Sequence, residues 1–152
     1  IQFWDYASFA ELEGRFDIAT VRGGVRIDEH EQYGSNVVPR IAVTKAYDKL
    51  HFKLLASSAY RAPGLENINL NELARARDGS IDEVRPEKTD VYELEVGYKL
   101  TDQVHGTINL FDMRIDKPIV YSYNSTTETE SYRNLGKVGT QGAELGLQLL
   151  EE

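Results

Sequence analysis

Polar and apolar residues alternate without error from Tyr92 to Leu100. Tyr92, Leu94, Val96, Tyr98 and Leu100 fall on one face of an extended strand, and Glu93, Glu95, Gly97 and Lys99 on the other. A strand with two carboxylates on one face cannot bury both faces in a core, because an unpaired buried carboxylate costs several kcal/mol or neutralises. Two settings fit: a soluble sheet with one wet face, or the wall of a water-filled barrel, apolar outside and polar inside. The same period gives a strand over 18–28, where Ala19, Val21, Gly23, Val25 and Ile27 alternate with Thr20, Arg22, Gly24, Arg26 and Asp28. Further strands are predicted over 3–12, whose aromatic residues have mixed parity, and over 37–47, 51–60 and 103–121, with a last one ending at 143–149. In 103–121, Ile108 and Leu110 have one parity and Phe111, Met113 and Ile115 the other, a phase break that predicts a bulge or inward-pointing apolar residues.

The connections differ in kind. Turns near 14, 48 and 102 are short, whereas polar stretches at 29–36, 65–85 and 124–131 read as exposed loops. If successive strands run up and down, all short turns lie at one end and all long loops at the other. Outer-membrane barrels sort their connections this way. Within 65–85, residues 71–79 are predicted to form a short helix with Asn71 as its cap and Gly79 as its stop. Pro39 is expected near a strand start, where a missing amide proton is tolerated.

Composition narrows the classes. The 152 residues carry a net charge of −8, which argues against a nucleic-acid partner, since phosphate binding needs clustered Lys and Arg. There is no cysteine, hence no disulfide framework, no thiol nucleophile and no cysteine-based zinc site. No run approaches the roughly 18 apolar residues of a spanning helix, which excludes a helical membrane protein but not a β-barrel. The chain opens at Ile1 and closes on Leu150-Glu151-Glu152, and both ends read as cuts in something longer.

Three motifs occur in order: Tyr60-Arg61-Ala62-Pro63, then Pro86-Glu87-Lys88-Thr89-Asp90-Val91-Tyr92-Glu93-Leu94, then the stretch from Glu130-Ser131-Tyr132-Arg133-Asn134 through Gly142-Ala143-Glu144. With the strand Phe111-Asp112-Met113-Arg114-Ile115 and with Ile119-Val120 between the last two, the chain resembles a TonB-dependent outer-membrane receptor. The resemblance is strongest from Ser57 to Leu149, while residues 1–56 are compatible with the preceding strands. It implies an all-β fold of antiparallel up-and-down strands: a partial transmembrane β-barrel in which residues 1–152 supply about seven strands of about 22. It further implies a plug domain and TonB-engaging segment outside this chain, location in the outer membrane of a Gram-negative bacterium, and import of a scarce solute. Siderophore, haem, cobalamin and saccharide receptors share these motifs, so the solute stays open. Glu95 stands where the family often has a small residue, which places a second carboxylate in the lumen. The loops near 29–36, 65–85 and 122–132 would face outside and capture the ligand, with lipid around the barrel and the TonB complex as further partners.

Candidate ligand contacts follow from loop position. Arg61, Arg75, Arg77 and Arg85 suit an anionic ligand such as an iron chelate, set against Glu66, Glu72, Asp78, Asp82 and Glu83 as plain neutralising neighbours. Tyr121, Tyr123 and Tyr132 suit a ligand mouth, an interfacial aromatic girdle or ordinary strand packing. Glu29-His30-Glu31 has metal-ligand chemistry but no second histidine nearby, so no metal and no cofactor is assigned. His51 and His105 read as isolated strand residues, and no nucleophile, base and orienter share a spacing, so an enzyme is not expected. The alternative function is a soluble all-β ligand-binding domain, a sandwich or small closed barrel folding as a detergent-independent monomer. An isolated piece of barrel wall is expected instead to self-associate through free edges and apolar faces.

Overall fold

The computed structural model describes residues 4–150. Seven long strands, β1 (Asp5–Arg15), β2 (Thr20–His30), β3 (Gly34–Ala46), β4 (Leu50–Arg61), β5 (Glu87–Lys99), β6 (Val104–Asp116) and β9 (Lys137–Leu149), form one antiparallel sheet in the order β1-β2-β3-β4-β5-β6-β9. A helix α1 (Leu65–Arg77) lies between β4 and β5, and a hairpin of β7 (Ile119–Asn124) and β8 (Thr129–Asn134) between β6 and β9. The sheet is a single layer, neither sandwich nor closed barrel, so it is an open section of wall. The first strand was predicted to open at Phe3, which lies outside the described residues, as do Ile1, Glu151 and Glu152.

Paired residues share a face, so the register settles which side chains point where. One hydrogen-bonded row runs Val21, Val43, Leu54, Leu94, Leu110, Ala143. The next rows add Phe52, Val96, Ile108 and Leu145, then Leu50, Tyr98 and Leu147. All lie on one face, and large side chains there stay exposed, up to 82% for Leu145. The opposite face carries Glu11, Glu13, Arg22, Arg26, Asp28, Arg40, Lys53, Glu93, Glu95 and Glu144. The apolar band also drifts: the row through Val21 is its lower margin on β2, but on β9 that row, at Ala143, is its upper margin, with Gln141, Gly139 and Lys137 above.

That band explains the phase break on β6. There is no bulge, since β6 pairs in unbroken register with both neighbours. Ile108 and Leu110 lie in the outer band, and above it the same face turns ionic with Asp112, Arg114 and Asp116. Phe111, Met113 and Ile115 therefore face the lumen in the upper half. Arg114 pairs with Asp112 at 2.7 Å and lies over the Tyr92 ring, 5.9 Å from its centroid.

Several boundaries differ from the sequence reading. The 29–36 stretch is strand almost throughout, leaving only 31–33 as a connection. Outside the band alternation is no longer demanded, so strands continue into polar sequence there. Pro39 consequently sits inside β3 rather than at its start, and β3–β4 pairing begins at Arg40, directly after this residue without an amide proton. The strand predicted over 103–121 stops at Asp116, because Lys117 takes a left-handed φ of 55° before Pro118 and turns the chain into the hairpin. The helix predicted over 71–79 begins at Leu65 and ends at Arg77, capped by Gly64 and Asp78 instead of Asn71 and Gly79. Turns at 16–19, 47–49 and 100–103 share one end of the sheet, and α1 and the hairpin occupy the other.

Candidate functional site

At the helix end, the chain builds a cap over the rim of the wall. Among the described residues, the buried aliphatic core consists of Ile68 (5% exposed), Ala74 (2%) and Val84 (2%), all within the cap. Ile68, Asn71 and Ala74 recur every third position and so share one face of α1. Asn71, 3% exposed, uses both ends of its amide: Nδ2 donates to the Asp82 carbonyl at 2.7 Å and Oδ1 accepts from the Tyr132 amide at 3.2 Å. Asn134 does the same at the base, with Oδ1 accepting from Arg85 N at 2.7 Å and Nδ2 donating to the carbonyls of Arg85 at 2.8 Å and Lys117 at 2.7 Å. These side chains stand in for strand partners that irregular backbone lacks.

The predicted ligand residues divide by place. Arg61, the last residue of β4, is held by Glu87 through bonds of 2.6 and 3.0 Å, and Glu87 also accepts the Ile119 amide at 3.0 Å. Its charge is thereby tied to the rim. Arg75, Arg77 and Arg85 are exposed, and among the described residues none makes an ion pair. The acidic neighbours do not neutralise them pairwise. Asp78 instead accepts from the Ser80 amide at 3.0 Å and hydroxyl at 2.7 Å, which hold its carboxyl below the usual range. Arg77 lines a groove of about 210 Å³ with Leu73, Tyr123 and Glu130, while Arg75 lies beside Tyr33 and Glu72 at a smaller cavity.

Tyr121 and Tyr132 pair edge to face at 5.9 Å across the hairpin, and cross-strand pairing puts Tyr123 and Glu130 on the same face. The hairpin is a sheet of its own, so these tyrosines do not belong to a girdle on the wall. The Glu130 carboxylate beside Tyr121 raises the pKa of its phenol. Tyr33 connects the 31–33 turn to the cap. Burial, with the Glu83 charge second, pushes its phenol up to about 12. His30 is buried, stacks on Tyr33 at 5.0 Å and receives the Gln32 amide at 3.2 Å on Nδ1. Among the described residues no cluster suited to a metal occurs.

The lumen face has its own order. Toward β1–β3 its charges are paired, with Arg22 bonded to Glu13, Arg26 to Asp28 at 2.5 Å, and Arg40 within 3.7 Å of Glu11. Toward β5–β9 it is acidic: Glu95, bonded to His51 at 3.2 Å, pairs across strands with Asn109, and Asn109 with Glu144. The Asn109 Oδ1 atom is buried without a hydrogen-bond partner among the described residues. His51 was read as isolated, but its ring lies over Gly97, where a Cβ would collide with it.

Asn71 was read as a helix cap and Asn134 only as part of a motif, so the bonds that each makes across the cap escaped the sequence reading. For Asn71 there was a signal: the triplet spacing with Ile68 and Ala74, together with Pro63-Gly64 and Glu66 as a helix start, places it on a buried face. Asn134 carries none, because its partners lie in other loops.

Solved structures with the same architecture are similar at low identity. The siderophore receptor PirA from Pseudomonas aeruginosa superposes with a TM-score of 0.77 at 18% identity, over 93% of this chain and 30% of its own. The siderophore receptor PirA from Acinetobacter baumannii gives 0.73 at 21%, over 95% and 25%. The FrpB iron transporter from Neisseria meningitidis gives 0.72 at 20%, over 97% and 24%. This chain thus spans less than a third of each. No curated protein sequence matches it. A family model described as TonB dependent receptor-like, beta-barrel, matches residues 1–150, and the chain belongs to that family.

Proposed function

We propose that this chain is a wall section and outer cap of an outer-membrane receptor that imports an iron chelate of the siderophore class, driven by TonB-coupled energy. The observation that carries the reading is the two-faced sheet: an unbroken apolar band on one side, charge on the other, and the elaborate connections gathered at one end. In a barrel the band meets lipid and the charged face meets a filled lumen. The acidic stretch of the charged face, with Glu93, Glu95 and the exposed Glu144, supports a polar lumen able to meet donors from an element inside the barrel. The solved structures of siderophore receptors and an iron transporter with this architecture favour iron chelates over the other solutes. Arg75, Arg77 and Arg85 supply cationic contacts for an anionic chelate, and Tyr121, Tyr123 and Tyr132 supply aromatic faces. Arg61 belongs to the rim rather than to the ligand.

Capture by the cap, binding above the plug and rearrangement of the plug complete the proposed cycle. No residue here performs covalent chemistry in it. The test uses single cysteines in the full-length receptor in outer membranes, labelled with a water-soluble thiol reagent. Cysteines replacing Leu94, Val96, Leu145 and Leu147 are expected to be protected. Those replacing Glu93, Glu95, Glu144 and Gln148 are expected to react, either directly or once the plug is deleted. Labelling of the first set in intact membranes overturns the reading.

A further inference from the structure

The helix and the hairpin come from separate loops, yet backbone groups of the hairpin and of the segment after the helix find their partners on asparagine side chains of the other loop. Asn71 on α1 takes the Tyr132 amide of β8 with one end and the Asp82 carbonyl with the other. Asn134, the last residue of β8, takes both backbone groups of Arg85 and the Lys117 carbonyl. The buried side chains Ile68, Ala74, Val84, Thr129 and Ser131 come from both loops, and the 31–33 turn joins through Gln32 Nε2, which donates to Glu83 at 3.3 Å. We infer that α1, residues 78–86 and the β7–β8 hairpin form one cooperative body, pinned by Asn71 at its top and Asn134 at its base, so that the two loops order, open and close together rather than separately.

The physical reason lies in the cost of opening one loop alone. Moving the hairpin away from α1 strands a buried asparagine carbonyl and a backbone amide at once, and a buried group left unsatisfied costs its full desolvation. Moving both together keeps every one of these bonds. The consequence is that a ligand touching Tyr121 or Tyr123 on the hairpin is felt at Arg75 and Arg77 on the helix. This concerns the cap alone and holds whatever solute the receptor imports, so it stands or fails apart from the transport reading.

Hydrogen exchange of the full-length receptor in detergent micelles tests it. Asn71→Ala is expected to speed exchange about tenfold or more in both 65–77 and 129–134, by similar factors, while Glu72→Ala on the exposed side of α1 leaves both unchanged. Linkage is reciprocal, so Asn134→Ala, made at the base of the hairpin, must also speed exchange within α1. If Asn71→Ala loosens the helix and leaves 129–134 protected, or if Asn134→Ala leaves α1 unchanged, the loops are independent and the inference is wrong.

Discussion

Tyr33 sits where the turn after β2 meets the cap, and its phenol is the group whose titration reports on that contact. Its folded pKa of about 12 lies above the ordinary value near 10, with burial as the main cause. The neutral phenol therefore favours the fold fully below about pH 10, and that contribution is lost as pH rises toward about 12. Ultraviolet difference titration of the receptor against Tyr33→Phe should show one phenolate appearing near the upper value, and a normal midpoint would mean that the cap does not cover it. Gly139 makes a second residue-level case. A Cβ there would lie 2.8 Å from the Met113 carbonyl oxygen, which is backbone of the neighbouring strand and cannot swing aside. Gly139→Ala should destabilise the β6–β9 pairing by roughly 1–3 kcal/mol, read as lost amide protection in β9; unchanged protection would mean that the strands separate without strain.

Elements repeat this contrast between wall and cap. In α1, which packs on β8, Ala74 is buried, whereas its neighbour Leu73 is 64% exposed. Ala74→Leu should overpack the cap at a cost of about 1–3 kcal/mol, and Leu73→Ala should stay within about 0.5 kcal/mol. Limited proteolysis within 62–86 measures both, and equal sensitivity would show that the helix is not seated as described. The elements also show what could be read in advance. The wall strands were legible because an apolar face and a charged face impose period two over residues such as Tyr92 to Leu100. Their outer ends were not, because beyond the band nothing enforces alternation, and the strands run on through the polar residues His30, Ser35 and Asn36. The β7–β8 hairpin was merged into β6 and a loop, since Ile119-Val120-Tyr121 continues the apolar character of the strand and only Lys117-Pro118 marks the break. Arg75, Arg77 and Tyr121 were found as loop residues of suitable chemistry. The bonds of Asn71 and Asn134 were hidden, because a buried amide is defined by partners distant in sequence.

For the whole molecule, the drift of the apolar band sets the geometry of the wall. Between β2 and β9 the band shifts by about six residues, roughly 20 Å of strand, across five strand spacings of about 4.8 Å each, which is a slope of about 40°. That is the strand inclination at which sheets close into barrels. A row of paired residues is therefore a ramp across the apolar band and not a contour of equal height. Arginine placed at successive positions of the single row Val21, Val43, Leu54, Leu94, Leu110, Ala143 should cost about 2–4 kcal/mol near Leu54 and about 0–1 kcal/mol at either end, measured by folding into lipid vesicles. One line of neighbours thus works as a depth gauge, and a uniform cost along it would mean that the strands stand upright.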